Sequence, residues 1–378
     1  MPDGVDSAVL DGAGKVAGGI IAIKGGANIT IDGLKIENFV DYGIIASGGP
    51  HSEFGDLPVA SSNTIRNCDV GVNTATSWSS GGISFFGASP GTTIENNYVH
   101  DVGSQGIASN TWHSAADSIA RSIIVNNVVI RAVQRMYDGG GIYVGMHGGF
   151  QAPVGGVVVR NNFVRGHGAP GLTGPYGASH IGIYIDDNAN GVVVTGNIVG
   201  PPSENSVNEH NLNNVTAFLI HNGHDNHIYG NIADLGDSGR VLTAVWGFDS
   251  DCRAGMAGNS FTRNIVISRF GGNQQTSSSG VRCYSYMQNK RPASDFLIQN
   301  NVYYNYGGGQ ARSDGPIVSD SNPVVADPKL SGWACAVASD SPAHRAPVSF
   351  PEIAGRWGPP GFVIPEEGAP PSCLAASK

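Results

Sequence analysis

The chain has 378 residues, of which only 13% are charged, and it carries 55 glycines and a formal net charge of −9. A negative surface without a Lys/Arg cluster repels phosphate backbones and argues against a nucleic-acid partner, and no apolar run approaches the roughly 18 residues of a membrane span. Low charge with abundant Gly and Asn excludes a mainly helical protein and predicts many tight turns.

The first segment, "MPDGVDSAVLDG", has neither a basic n-region nor an apolar h-region. Either the protein is cytoplasmic or, the preferred reading, it is a mature or excised segment of an extracellular or periplasmic protein. From there a short pattern recurs along the chain: "ITIDGLKI", "NTIRNCDV", "TTIENNYV", "IIVNNVVI", "VVVRNNFV", "VVVTGNIV", "HIYGNIAD", "SFTRNIVI" and "FLIQNNVY". The second member of the central pair falls at Gly33, Cys68, Asn97, Asn127, Asn162, Asn197, Asn231, Asn264 and Asn301. Short β-branched runs separated by turn residues, repeated without any helical pattern, predict stacked strands whose inner faces bury on their neighbours. One asparagine per repeat can stack into a ladder of side-chain amides.

This pattern resembles the right-handed parallel β-helix proteins of the pectate-lyase-like superfamily, over roughly residues 8 to 305. The resemblance implies an all-β solenoid of about nine coils spanning 1–306. The Pro- and Ser-rich segment 307–378 would form an irregular C-terminal cap packed on the last coils. A second strand per coil begins at Ile44, Ile83, Ile107, Ile142, Ile183, Phe218, Val245 and Val281. With these anchors inward, strand alternation turns Ala46, Phe85, Ser109, Val144, Ile185, Ile220, Gly247 and Cys283 inward as well.

The outward pairs are then Ile45/Ser47, Ser84/Phe86, Ala108/Asn110, Tyr143/Gly145, Tyr184/Asp186, Leu219/His221, Trp246/Phe248 and Arg282/Tyr284. Aromatic rings among hydrogen-bonding groups suit sugars, which present apolar C–H faces and hydroxyl edges. The row therefore reads as an exposed glycan groove, or alternatively as a secondary core beneath inserted loops. The "NTWHS" loop places Trp112 and His113 where they could overhang it.

Glycoside hydrolysis typically uses two carboxyl groups, one an acid and one a nucleophile or base. The candidates beside the row are Asp138 in "YDGGGIYVG", Asp186 and Asp187 in "IYIDDNANG", and Asp249 with Asp251 in "WGFDSD". "DGGGIYV" and "GIYIDD" resemble β-helix glycoside hydrolases of the xylosidase and fucosidase kind, which implies Asp138 and Asp186 as the catalytic pair. If the chain were extended from Asp138 to its strand, the two would stand roughly 23 Å apart. The pair works only if the three glycines fold Asp138 back. Asp187 with Asp249 is the rival pair, and His221 lies one coil from Asp186, close enough to tune it. Two other matches fail on context: Gly87–Gly91 leads into a strand, and Gly166–Gly171 is interrupted by Pro170.

The leading expectation is a monomeric glycoside hydrolase acting on a poly- or oligosaccharide, with no cofactor and no metal. A polysaccharide lyase is the first alternative, with Arg282, Arg135 or His221 as base and calcium as a possible cofactor. A non-catalytic glycan-binding solenoid is the second. The five cysteines lack metal-site spacing; Cys335 and Cys373 could pair, and an odd total leaves one thiol free.

Overall fold

The computed structural model describes residues 8–15, 18–74, 77, 80–111, 119–146, 155–169, 179–203, 216–221, 223–236, 242–245, 257–268, 296–307, 320–331, 336–344, 357–362 and 364. Apart from one 3-10 turn, Pro342–His344, the regular structure there is β. Three long sheets dominate, and neighbouring strands along each are parallel. Among the described residues no helix is long and apolar enough to cross a membrane.

Each repeat contributes one strand to each sheet. The asparagine motif supplies two of them and is the turn between two sheets, as the sequence suggests. In the repeat holding Asn162, for example, Val158–Arg160 joins one sheet, Phe163–Arg165 the next and Ser179–Asp186 the third. The corner arises because the first member of the central pair takes a left-handed backbone: φ is 56° at Asn67, 55° at Asn96, 57° at Asn126 and 51° at Asn161. Asn tolerates that conformation better than most residues, and Gly196 and Gly230 take it without a Cβ. So does Gly33, which the register Ile31↔Ile65 places at the first position of its pair with Leu34 second, one residue away from the placement the sequence pattern suggests.

The second member of the pair turns inward. Asn97, Asn127, Asn162, Asn197, Asn231, Asn264 and Asn301 are fully buried. Each Nδ2 up to Asn264 donates to the Oδ1 of the next asparagine at 2.9–3.1 Å. Each Oδ1 from Asn97 onward also accepts a backbone N–H of the preceding repeat, beginning with Cys68 N at 3.0 Å. Asp320 Oδ2 closes the far end, accepting from Asn301 Nδ2 at 2.8 Å.

Inside the corners one residue per short strand forms a continuous apolar core, such as Ile94, Ile124, Val159 and Val194 in one sheet and Val99, Val129, Val164 and Val199 in another. In the third sheet the anchors Ile83, Ile107, Ile142, Ile183 and Phe218 point into this core, as do Phe85, Val144, Ile185 and Ile220. Beyond Gly307, Val324–Val325 pairs in parallel with Val302–Asn305. Further on, Leu330, Ala343 and Trp357 cover the outer apolar residues Val128, Phe163, Ile198, Ile232 and Ile265. The Phe362 ring reaches back to Tyr98, 4.4 Å between centroids.

Cys68 is a buried free thiol, pushed up to about 11 by burial. Cys252, Cys283, Cys335 and Cys373 lie outside the described residues.

Candidate active site

A glycine column explains how the third sheet begins. Gly43, Gly82, Gly106, Gly141 and Gly182 each precede an anchoring Ile, and a Cβ on any of them would lie 2.4–2.5 Å from a valine γ-carbon of the neighbouring sheet. Only glycine permits that approach. The strand turns sharply there: a Cβ on Gly140 would sit 2.8 Å from the carbonyl oxygen of Ile142 and 3.0 Å from Tyr184 Cβ. Two residues of straight strand cover about 6.6 Å, so the chain bends, and it bends toward the outer face where Tyr184 stands.

Asp138 opens the strand Asp138–Met146, just before that bend. The extended spacing of roughly 23 Å therefore does not apply. The Asp138 carboxyl feels the charges of Asp186, Asp187 and His221, and its own charge acts on Tyr143 and Tyr184. Asp138 keeps partial contact with solvent, but its Oδ1 is sequestered and without a hydrogen-bond partner. Burial first, then the neighbouring Asp186 carboxylate, push its pKa up to about 7.

Asp186 lies in register with Gly145, which lies in register with Asn110. Because Gly145 has no side chain, the Tyr143 ring folds into its slot: a Cβ there would meet Tyr143 Oη at 2.9 Å and Asn110 Oδ1 at 3.0 Å. Tyr143 Oη donates to Asp186 Oδ2 at 2.9 Å. His221 Nδ1, from the next repeat, donates to Asp186 Oδ1 at 2.6 Å and stands 3.5 Å from Asp187 Oδ1. Burial would lower the His221 pKa, but the hydrogen bond and charge of Asp186 prevail and raise it to about 9. His221 is thus an imidazolium near neutrality, and its other nitrogen, Nε2, is buried without a partner. Asp187 takes φ 42° where the strand ends, and its N–H donates to Asp186 Oδ1 at 2.8 Å.

Asp186, Asp187 and His221 each offer one ligand atom within 4.8 Å of the others, a grouping that could hold a cation. A cation there would have to displace the Nδ1 hydrogen bond to Asp186. What the arrangement offers unaided is a protonated carboxyl and, beside it, a carboxylate fixed by a phenol and an imidazolium.

The expectation of exposed rings needs correction. Tyr143 and Tyr184 are each only 5% exposed and pack edge to face, 5.3 Å between centroids, in a small cluster with Ala108, Ile181 and Leu219. Ile45, Ser47, Ser84, Phe86 and Asn110 on the same face are buried too. Tyr143 bonds Asp186, and neither ring forms an open platform. Asn110 Oδ1 is buried and unpartnered. Trp112, His113, Trp246, Phe248, Asp249, Asp251, Arg282 and Tyr284 lie outside the described residues. Arg135 is exposed.

Sequence reasoning missed Gln105 and His180. Gln105 Oε1 accepts Gly140 N–H at 2.6 Å, and His180 Nε2 donates to the carbonyl of Met136 at 3.1 Å. A polar residue at this position did not single out Gln105, because Thr216 stands in register with Ile181 in another repeat.

No known family and no curated protein matches the chain. Among solved structures, one described as a glycoside hydrolase aligns at 16% identity and a TM-score of 0.33, covering 60% of this chain. The aligned part spans 36% of that protein's length.

Proposed function

We propose that the chain winds as a right-handed parallel β-helix of about nine coils and is a glycoside hydrolase with Asp138 as general acid. The observation that carries this reading is the pairing of a carboxyl at a pKa of about 7 with Asp186, held by Tyr143 and His221. An acid that keeps its proton near neutrality can protonate a glycosidic oxygen. A neighbouring carboxylate can activate water or attack the anomeric carbon. Tyr143 and His221 orient Asp186 and spread its charge. Asn110 Oδ1, an unpartnered acceptor beside Tyr143, suits a substrate hydroxyl.

The substrate is a poly- or oligosaccharide, the chemistry needs no cofactor, and the setting is extracellular or periplasmic. The test is a panel of polysaccharides and aryl glycosides scored for reducing ends and for absorbance near 235 nm. Reducing ends without absorbance are expected, with losses of about 10³-fold or more in Asp138→Asn and Asp186→Asn. Absorbance at 235 nm that depends on calcium would make the protein a lyase. Binding without cleavage would make it a glycan-binding solenoid. Full activity in both variants would remove the assignment.

A further inference from the structure

The bend that brings Asp138 to Asp186 needs something to hold it. Elsewhere in this sheet the first N–H at the corner donates to a backbone carbonyl one repeat earlier: Tyr42 N to Gly18 O and Gly81 N to Asp41 O, both 3.0 Å. By the same register Gly140 N would donate to Ser104 O. That carbonyl accepts Val133 N instead, at 2.8 Å. The segment before Asp138 also occupies the two preceding carbonyls, with Gln134 N on Val102 O and Arg135 N on Gly103 O. Gly140 N–H turns to a side chain instead, Gln105 Oε1, at 2.6 Å.

We propose that Gln105 is a positioning residue for the acid: its side-chain amide accepts the N–H that a backbone carbonyl accepts in other repeats, and it fixes the bend that carries Asp138 toward Asp186. Three observations support it. Gln105 is 5% exposed, so the bond is sheltered from water. The fit is close, since a Cβ on Gly139 would lie 3.2 Å from Gln105 Oε1 and 3.3 Å from Nε2. A buried N–H without an acceptor is costly, so losing the amide leaves the bend a reason to open. Opening would move Asp138 away from Asp186, Asp187 and His221, the charged groups that act on it. Gln105 touches no reacting atom and acts through Asp138 alone.

The proposal rests on the hydrolase reading for its catalytic consequence but not for its structural one, and the experiment separates the two. The Asp138 carboxyl is followed by carbon-13 NMR titration in wild type, Gln105→Met and Gln105→Glu. Methionine keeps the shape and removes the acceptor; glutamate keeps an acceptor oxygen. The expected result is a fall of about one unit or more in the Asp138 pKa with methionine, toward the ordinary carboxyl value. Glutamate should leave the pKa at or above that of wild type, because it adds a nearby negative charge. On a cleaved glycan, methionine should lower kcat about 10- to 100-fold with little change in KM, and glutamate should recover most of it. If Gln105→Met does not fold, Gly139→Ala crowds the same amide and is expected to lower the Asp138 pKa likewise. An unchanged Asp138 titration in the folded variant, whichever of the two it is, overturns the proposal. If the titration shifts while Asp138→Asn cleaves glycans as well as wild type, the hydrolase reading fails and the positioning role stands.

Discussion

The asparagine ladder and the outer face at Asp138 are both rows of buried polar groups, stacked across successive repeats, yet they are finished differently. In the ladder the amides meet their partners; Asn162 Nδ2 alone donates to Ile124 O, Arg160 O and Asn197 Oδ1. On the outer face Asp138 Oδ1, Asn110 Oδ1 and His221 Nε2 are buried with no partner. A satisfied network stabilises and specifies a fold, whereas unpaired buried polar atoms cost stability and suit a site that awaits a ligand. The same architecture thus carries a satisfied polar row on one side and unpaired polar atoms on the other.

The largest expected effect breaks the ladder. Asn162→Ala removes the acceptor of Asn127 N, which strands that N–H, and one of the three acceptors of Asn127 Nδ2. It should cost about 3–5 kcal/mol in denaturant unfolding, with the Asp138 titration unchanged in the folded fraction. On the site face, Tyr143→Phe deletes one hydrogen bond to a charged oxygen and should cost about 1–2 kcal/mol. It should also lower glycan turnover more than it lowers substrate affinity.

The pH dependence of stability sharpens the contrast further. Asp138 is raised from 3.8 to about 7, so its contribution is full below about pH 4 and lost as pH rises through 7. His221 is raised from 6.5 to about 9, so its contribution is full below about 6.5 and lost as pH rises through 9. Thermal melts should therefore weaken steadily from about pH 4 to 9. Asp138→Asn should flatten the lower half of that slope, Asp186→Asn should flatten the upper half and shrink the lower, and ladder variants should leave the slope intact. The smallest effect is expected at an exposed polar contact. Asp32, which pairs with Arg66 and Asn67 at the surface, should lose no more than about 0.5 kcal/mol on conversion to Asn.

The ladder was legible in the sequence because it repeats. Its period, its inward residue and its amide stacking all follow from the recurring pair. The inward anchors of the third sheet from Ile44 to Phe218 were legible for the same reason, but Val245 was not an anchor: it stands opposite His221, and Leu242 takes the place opposite Phe218. The site was legible only by residue type. Asp138, Asp186 and His221 stand out as acids and an imidazole beside one row, but what joins them occurs once each. The bend at Gly140 hides inside "DGGG", where one glycine serves the packing column shared by every repeat and another serves the turn. Exposure of the aromatics was misread because alternation tells which face a ring leaves from, not what lies over it. Gln105 was passed over because its bond to Gly140 N joins residues a full repeat apart, a tertiary contact without a local signature.

The account turns on one protonation state, and titrating the Asp138 carboxyl by carbon-13 NMR in wild type and in Asp186→Asn tests it most directly. A pKa near 7 in wild type that falls when the Asp186 charge is removed is the predicted result. A value near 4 that ignores the Asp186 substitution would mean that Asp138 is an ordinary turn carboxylate and would contradict the acid assigned here.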